Sequence, residues 1–450
     1  MYLHHSNKQK KMNMYFSKYN IFSKIKNSDS SYIVNLLTGN ADVLDADKAA
    51  EIISGNYTNI DEYLEKGYLA DEVAEKKLYN SKYLDFIELR DNDEIQIFFA
   101  PWYACNFECS YCYQAGYENK FSTPSKELID SFFRYITKEF KDRKKYITLF
   151  GGEALLSGEK YKNIITYFLE QAELANIDIA IVTNGYALSE YIDILKTKNI
   201  REIQVTLDGV EEAHDQRRPL KGGTPTFHKI VEGIDRALEN SITINLRMVL
   251  DKDNMSDLVE LARFAISKGW TKNKYFKTQF GRNYELHYCQ AGQSKLYTRL
   301  EFYQTLYEQI QKYPEILEFH RPAFSISSYL FENGELPSPL FDACSGCKSE
   351  WAFDYTGHIY SCTATVGKPG SSLGTFFPEV TLSKEKVTEW EERDVTTIAE
   401  CKDCSLQLAC GGGCAAVAFN KTGRLHSPDC RPIDELIGMG TSTYMTKEDE

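Results

Sequence analysis

The sequence predicts an α/β protein organised round a parallel sheet, with a small α+β unit before it and a cysteine-rich unit behind it. Three observations carry that reading. Between Glu94 and about Gln290, apolar β-rich runs alternate with amphipathic stretches of helical period. The first run, Ile95–Ala100, opens straight into a loop holding Cys105, Cys109 and Cys112 at CxxxCxxC spacing. Of the twelve cysteines, eight lie beyond residue 343, and Cys289 stands alone between the two groups.

At 450 residues the chain is too long for one ordinary core. Three units are expected, over 1–90, 91–300 and 301–450. A content of 42% apolar and 26% charged residues suits a soluble globular protein. The formal net charge of −13 argues against a sequence-independent grip on nucleic acid, which needs a basic surface. No apolar run approaches the roughly 20 residues that span a bilayer, and the N-terminus has no signal-peptide core. A cytoplasmic protein with no membrane or nucleic-acid partner is expected. Cysteines without a secretory signal point to metal ligation rather than disulfides.

In the first unit, Tyr15–Ile25 and Tyr32–Leu44 read as a hairpin. Asp45 caps a helix over Ala46–Ser54, Asn59 caps another ended by Gly67, and Tyr68–Arg90 continues at helical spacing. The central unit carries further strands at Tyr146–Phe150, Ile177–Thr183, Glu202–Leu207 and Ile242–Leu250, and a sixth within Lys274–Ala291. Helical text lies at Ser125–Phe140, Lys160–Ala175 and Thr226–Leu238, and again at Leu296–Lys312. Repeated βα units imply right-handed crossovers and ligands at the C-terminal strand ends.

Three thiolates from one loop, with no fourth nearby, suit a [4Fe–4S] cluster that keeps one iron free. A structural zinc site would close four ligands, typically as two CxxC pairs. The stretch resembles the cluster motif of radical S-adenosylmethionine (SAM) enzymes. The resemblance implies a partial, TIM-like (β/α)6 barrel, with Cys105, Cys109 and Cys112 as cluster ligands and Tyr111 near the adenine of SAM. The second strand ends Gly151-Gly152-Glu153, similar to the family segment that binds the SAM amino group. Thr183 and Asn184 end the third strand in a turn that, by the same resemblance, would lie beside the SAM pocket. The fourth runs through Thr206-Leu207-Asp208-Gly209 to His214-Asp215-Gln216-Arg217-Arg218, where Thr206 and an arginine would hold the SAM carboxylate. Spacing favours Arg218 over Arg217. His214 and Asp215 read as a helix-entry cap and a surface pair, and Cys289 as a small buried hydrophobe.

The C-terminal cysteines run Cys344-x2-Cys347, C-x9-G-x4-C to Cys362 through Gly357, then Cys401-x2-Cys404-x5-Cys410-x3-Cys414, and last Cys430. This closely resembles the SPASM extension of peptide-modifying radical SAM enzymes. It implies two auxiliary [4Fe–4S] clusters, one on Cys344, Cys347, Cys362 and Cys414, the other on Cys401, Cys404, Cys410 and Cys430. The gap from Cys344 to Cys347 is shorter than in some relatives; without Cys344 that cluster would keep an open iron. Gly411–Gly413 suit a tight ligand loop. The first unit is similar in outline to a winged-helix module that binds a leader peptide as an added strand; a structural cap is the other reading.

In this family reductive cleavage of SAM gives a 5′-deoxyadenosyl radical that abstracts hydrogen. The resemblance implies a maturase for a ribosomally made precursor peptide, installing a thioether or C–C crosslink, with flavodoxin or ferredoxin as electron donor. The alternative is an anaerobic sulfatase-maturing enzyme. There an aspartate base follows the cysteine matching Cys362; here that place is Thr363, and the sequence singles out no base.

Overall fold

The computed structural model describes residues 14–26, 28–114, 122–283 and 295–445. In the first unit, β1 (Met14–Phe16), β2 (Asn20–Lys24), β3 (Ser31–Asn35) and β4 (Ala41–Leu44) are followed by α1 (Ala46–Ser54), α2 (Ile60–Glu65), β5 (Leu69–Asp71) and α3 (Glu72–Asn92). The expected hairpin is a three-stranded antiparallel sheet, β2-β3-β4. The stretch Tyr32–Leu44 folds back on itself, because Asn35 accepts from the N–H groups of Leu37 and Thr38 and ends β3 there. Asp45 and Asn59 cap α1 and α2 as predicted. The helical text from Tyr68 instead begins as β5, paired with β1, and Asp71 caps α3 after it.

The unit does not stand alone. Tyr19, Ile21, Tyr32 and Val34 share a core with Phe341, Cys401, Leu408 and Cys410. From α3, Tyr79 donates to Gln407 at 2.8 Å and Tyr83 to Asp394 at 2.7 Å. The N-terminal sheet therefore rests on the cysteine-rich region.

Next come β6 (Ile95–Ala100), α4 (Lys126–Glu139), β7 (Lys145–Leu149), α5 (Glu159–Leu174), β8 (Asp178–Thr183), α6 (Leu188–Leu195) and β9 (Ile200–Thr206). They are followed by α7 (Glu211–Arg217), α8 (Phe227–Glu239), β10 (Ile244–Leu250), α9 (Leu258–Ser267), β11 (Phe276–Arg282) and α10 (Arg299–Lys312). The six strands lie parallel in sequence order. Each turns alternate residues onto the helices: Ile97 and Phe99, Ile147 and Leu149, Ile203 and Val205 are buried there. The helix predicted from Leu296 starts at Arg299, behind a capping box of Thr298 and Glu301. Cys289 lies outside the described residues.

The sheet does not stop at β6. Strand β12 (Glu350–Asp354) adds to it in parallel, pairing Ala352 with Phe98. Antiparallel β13 (His358–Tyr360), β14 (Gly374–Thr375) and β15 (Thr381–Leu382) extend it further. The hairpin that carries Cys362 is thus built onto the strand that carries the CxxxCxxC loop. No helix among the described residues is long and apolar enough to cross a membrane.

Candidate active site

Strand β6 delivers the cysteine loop, and its neighbours hold the loop by backbone contact. The N–H of Gly152 donates to Trp102 O at 3.3 Å, that of Glu153 to Ala104 O at 2.9 Å, and the Trp102 indole to Glu153 O at 2.5 Å. A Cβ on Gly151 would sit 2.7 Å from Trp102 O, and one on Gly152 would overlap the carbonyls of Tyr103 and Ala104. These glycines let strand end and cysteine loop touch. On the other side Glu108 N donates to Pro219 O and Ser110 N to Arg217 O.

The Glu153 carboxylate accepts from Thr183 Oγ1 at 2.5 Å, Asn184 N at 2.6 Å and Leu155 N at 2.7 Å. Three of its roughly four lone-pair sites are engaged, so it braces the ends of β7 and β8 and keeps one for a ligand. Asn184 also donates to Asn106 in the cysteine loop, at 2.8 Å.

The two arginines differ. Arg217 forms a buried fork on Asp251, at 2.9 and 3.0 Å. Arg218 donates one N–H to the Tyr111 hydroxyl at 2.5 Å, and its buried Nε has no partner. Tyr111 in turn donates to Asp208, also at 2.5 Å. Asp208 is fully buried and accepts as well from Val249 N at 2.9 Å. Thr206 is buried at the end of β9. Asp208 and Asp251 were not among the sequence candidates, although Asp208 stands in the TLDG stretch.

His214 is a correction. It is fully buried rather than part of a surface pair: Nδ1 accepts from Asp208 N at 3.2 Å, and Nε2 meets Thr226 Oγ1 at 3.1 Å. Asp215 does cap the next helix, accepting from Thr226 and Phe227 N–H. Burial, with help from Arg218, pushes His214 down to about 3, and burial pushes His320 down to about 4. Both stay neutral in the native fold while the unfolded chain protonates them below about 6.5. Stability is therefore greatest above that pH and falls as the pH drops towards 4. Melting temperatures from pH 7 to 4.5 should show this slope, and His320→Phe should flatten it.

Burial and the Glu153 charge push the Cys105 thiol up to about 12, and burial raises Cys109 although Arg218 opposes it. Thiolates here need a cation, which is what cluster irons supply, and the orphaned Arg218 Nε fits a carboxylate. Among the described residues no three His, Cys, Asp or Glu side chains converge tightly enough for a single ion; the fit to a cluster rests on donor chemistry.

The C-terminal thiols fall into two neighbourhoods. After burial, Cys362 is raised by the charges of Glu350, Cys344 and Cys414, and Cys347 by those of Glu391 and Cys344. Cys401, pushed up to about 12, senses Cys410, Cys404 and Cys430 after its own burial. Gly411, Gly412 and Gly413 are all left-handed, with φ of 58°, 70° and 68°. The fully buried Arg393 donates to the carbonyls of Leu425, Gly412, Gly413 and Ser427 at 2.8 to 3.1 Å. Nothing in the sequence flagged it.

Residues 100–265 match the model of the Radical SAM superfamily. The matched stretch runs from the end of β6 into α9 and takes in the CxxxCxxC loop, Gly151-Gly152-Glu153 and both arginines. A serine-type anaerobic sulfatase-maturating enzyme of Bacteroides thetaiotaomicron is 24% identical over 349 residues, 71% of this chain and 81% of that protein. A GTP 3′,8-cyclase of Aliarcobacter butzleri is 28% identical over 172 residues, and this chain spans half of its length. The structure of native anSMEcpe with bound AdoMet and Cp18Cys peptide has the same fold, with a TM-score of 0.60 and 16% identity over 79% of this chain and 97% of that one. Streptococcus suis SuiB, solved with its precursor peptide SuiA, matches with a TM-score of 0.53 and 15% identity over 93% of this chain and 99% of that one.

Proposed function

We propose that the protein is a radical SAM peptide maturase that removes two hydrogens from a ribosomally made precursor peptide, forming a thioether or C–C crosslink. The observation that carries this is the N-terminal sheet seated on the second cysteine group. A unit that would hold a leader peptide is thereby joined to the region of the proposed auxiliary clusters, and fold likeness to SuiB extends over nearly the whole chain. The edges of β2 and β4 are the places where an added strand would pair. Flavodoxin or ferredoxin would supply the electron for cleavage.

Cys105, Cys109 and Cys112 would hold the SAM-binding cluster. The groups Cys344, Cys347, Cys362, Cys414 and Cys401, Cys404, Cys410, Cys430 would hold the auxiliary ones. When bound, the first cluster and SAM together supply a radical able to take hydrogen from an unactivated C–H bond, and the auxiliary clusters accept an electron. The chain's own part is to place and shield. Tyr111 would lie along the adenine, fixed by Asp208 and Arg218. The Gly151-Gly152-Glu153 segment would meet the ammonium, and Thr206 with Arg218 the carboxylate. Arg217, engaged by Asp251, is a positioning residue that holds the loop end near Ser110. Arg218→Gln should weaken SAM binding about tenfold or more by titration calorimetry, since charged hydrogen bonds are worth about 1.5–3 kcal/mol.

The test is the mass of a candidate peptide encoded beside this gene, after anaerobic reaction with reconstituted enzyme, SAM and a strong reductant. Loss of two hydrogens, resistant to reduction and alkylation and absent in Cys105→Ala, is the expected result. Deoxyadenosine production with no change in any neighbouring peptide would defeat the crosslinking reading. The second reading, oxidation of a Cys or Ser side chain in a sulfatase, is favoured by the relative that matches over 81% of its length. Thr363 stands against it, its N–H donating to Glu350 at 3.0 Å where that reading wants a carboxylate.

A further inference from the structure

We propose that Arg247 is the seat for a carboxylate of the peptide substrate, an acidic side chain or the C-terminus; the inference rests on the peptide reading above. Strand β10 buries Ile244, Leu246, Met248 and Leu250 beneath the helices, so Asn245 and Arg247 lie on the opposite face. Polar pairs elsewhere on that face satisfy one another. Gln96 donates to Thr148 at 3.0 Å, and Asn245 donates to Glu202, which also pairs with Lys277.

Arg247 is the exception. Its buried Nε has no hydrogen-bond partner, and no carboxylate reaches it among the described residues. The second unmatched group on this face is Asn245 Oδ1, a buried acceptor two residues along the strand. A guanidinium lacking an anion and an amide oxygen lacking a donor, one strand repeat apart, fit an extended peptide that brings a carboxylate and an N–H. An unfilled pair of this kind costs stability unless a ligand completes it.

The guanidinium is given room. A Cβ on Gly281 of β11 would sit 2.8 Å from Arg247 Nε and 2.9 Å from Nη2. Gly281 is not left-handed, so the backbone does not require glycine there; the arginine does. The place is also right. Arg247 pairs in register with Thr206, two residues before the Asp208 that holds Tyr111. A carboxylate bound there lies beside the proposed SAM pocket. With a net charge of −13 the protein repels an acidic peptide at long range, so recognition has to come from such a local, desolvated contact.

Wild type and Arg247→Gln, each reconstituted and loaded with SAM, would be incubated anaerobically with a randomised pool of synthetic heptapeptides, half of them C-terminally amidated. Retained peptides would be identified by mass spectrometry, and SAM affinity measured in parallel by calorimetry. Wild type should enrich peptides with Asp, Glu or a free C-terminus about tenfold or more over Arg247→Gln, with SAM affinity within about twofold. Gly281→Ala, which displaces the guanidinium without removing it, should fall between them. The melting temperature of peptide-free Arg247→Gln should not drop, because the arginine has no partner to lose. Equal enrichment by both proteins overturns the proposal, and so does a tenfold loss of SAM affinity, which would assign Arg247 to the cofactor. If wild type retains no peptide of any composition, the peptide reading itself fails.

Discussion

Gly152→Ala should abolish assembly of the proposed SAM-binding site while leaving most of the fold intact. The new methyl group would overlap the carbonyl oxygens of Tyr103 and Ala104, both backbone atoms that cannot rotate away. Either the end of β7 or the cysteine loop has to move. The loop is pinned at Glu108 and Ser110 by the carbonyls of Pro219 and Arg217, so the strain falls on Cys105, between the crowded carbonyl of Ala104 and the anchor at Glu108. Overpacking of this kind costs about 1–3 kcal/mol or more. A shift near 1 Å in a reacting site costs about a hundredfold in rate. Iron content at the three-cysteine site and deoxyadenosine formation should fall together, the latter at least about a hundredfold. Gly55→Ala is the control: Gly55 is left-handed but open, so it should cost about 1 kcal/mol and leave cleavage unchanged. Full iron occupancy in Gly152→Ala would show that the glycine serves the ligand and not the loop.

The parallel strands were legible because each is a short apolar run between helical text, and β6 to β11 lie where the alternation puts them. The cysteine groups stood out because their spacing along the chain is local. What the sequence hid was pairing at a distance. EWAFD gives no sign that β12 joins β6, more than two hundred residues earlier, because parallel register has no local turn to announce it. His214 was misread for a different reason: its partners Asp208 N and Thr226 are near in sequence, but nothing in the dipeptide His214-Asp215 shows that both ring nitrogens are buried. Arg217 and Arg218 are adjacent and chemically alike in the text. Only the fold separates them, by bringing the Asp251 carboxylate to one and the Tyr111 hydroxyl to the other. Cap residues, by contrast, act within three positions, and Asp45 and Asn59 were readable at once.

Arg393→Met should empty the auxiliary sites and spare the first one. Arg393 has no solvent contact, and its guanidinium binds four carbonyls, at Gly412, Gly413, Leu425 and Ser427. Two of those belong to the left-handed glycine run between Cys410 and Cys414, and Ser427 lies three residues before Cys430. One side chain thus fastens ligands of both proposed auxiliary clusters. Methionine fills the space but leaves the carbonyls without donors, and breaking a buried charged network costs about 3–5 kcal/mol. Asp342 keeps its buried Lys348 and does not become an orphan charge. Iron should fall from about twelve per chain towards four, since each cluster holds four. SAM cleavage should continue in Arg393→Met while no modified peptide appears, because the loop at Cys105 takes no support from Arg393. The exposed pair Arg424–Glu400 is the comparison: Arg424→Gln should change stability by less than about 0.5 kcal/mol. If Arg393→Met keeps all its iron, the glycine loop holds its shape unaided, and the arginine is packing alone.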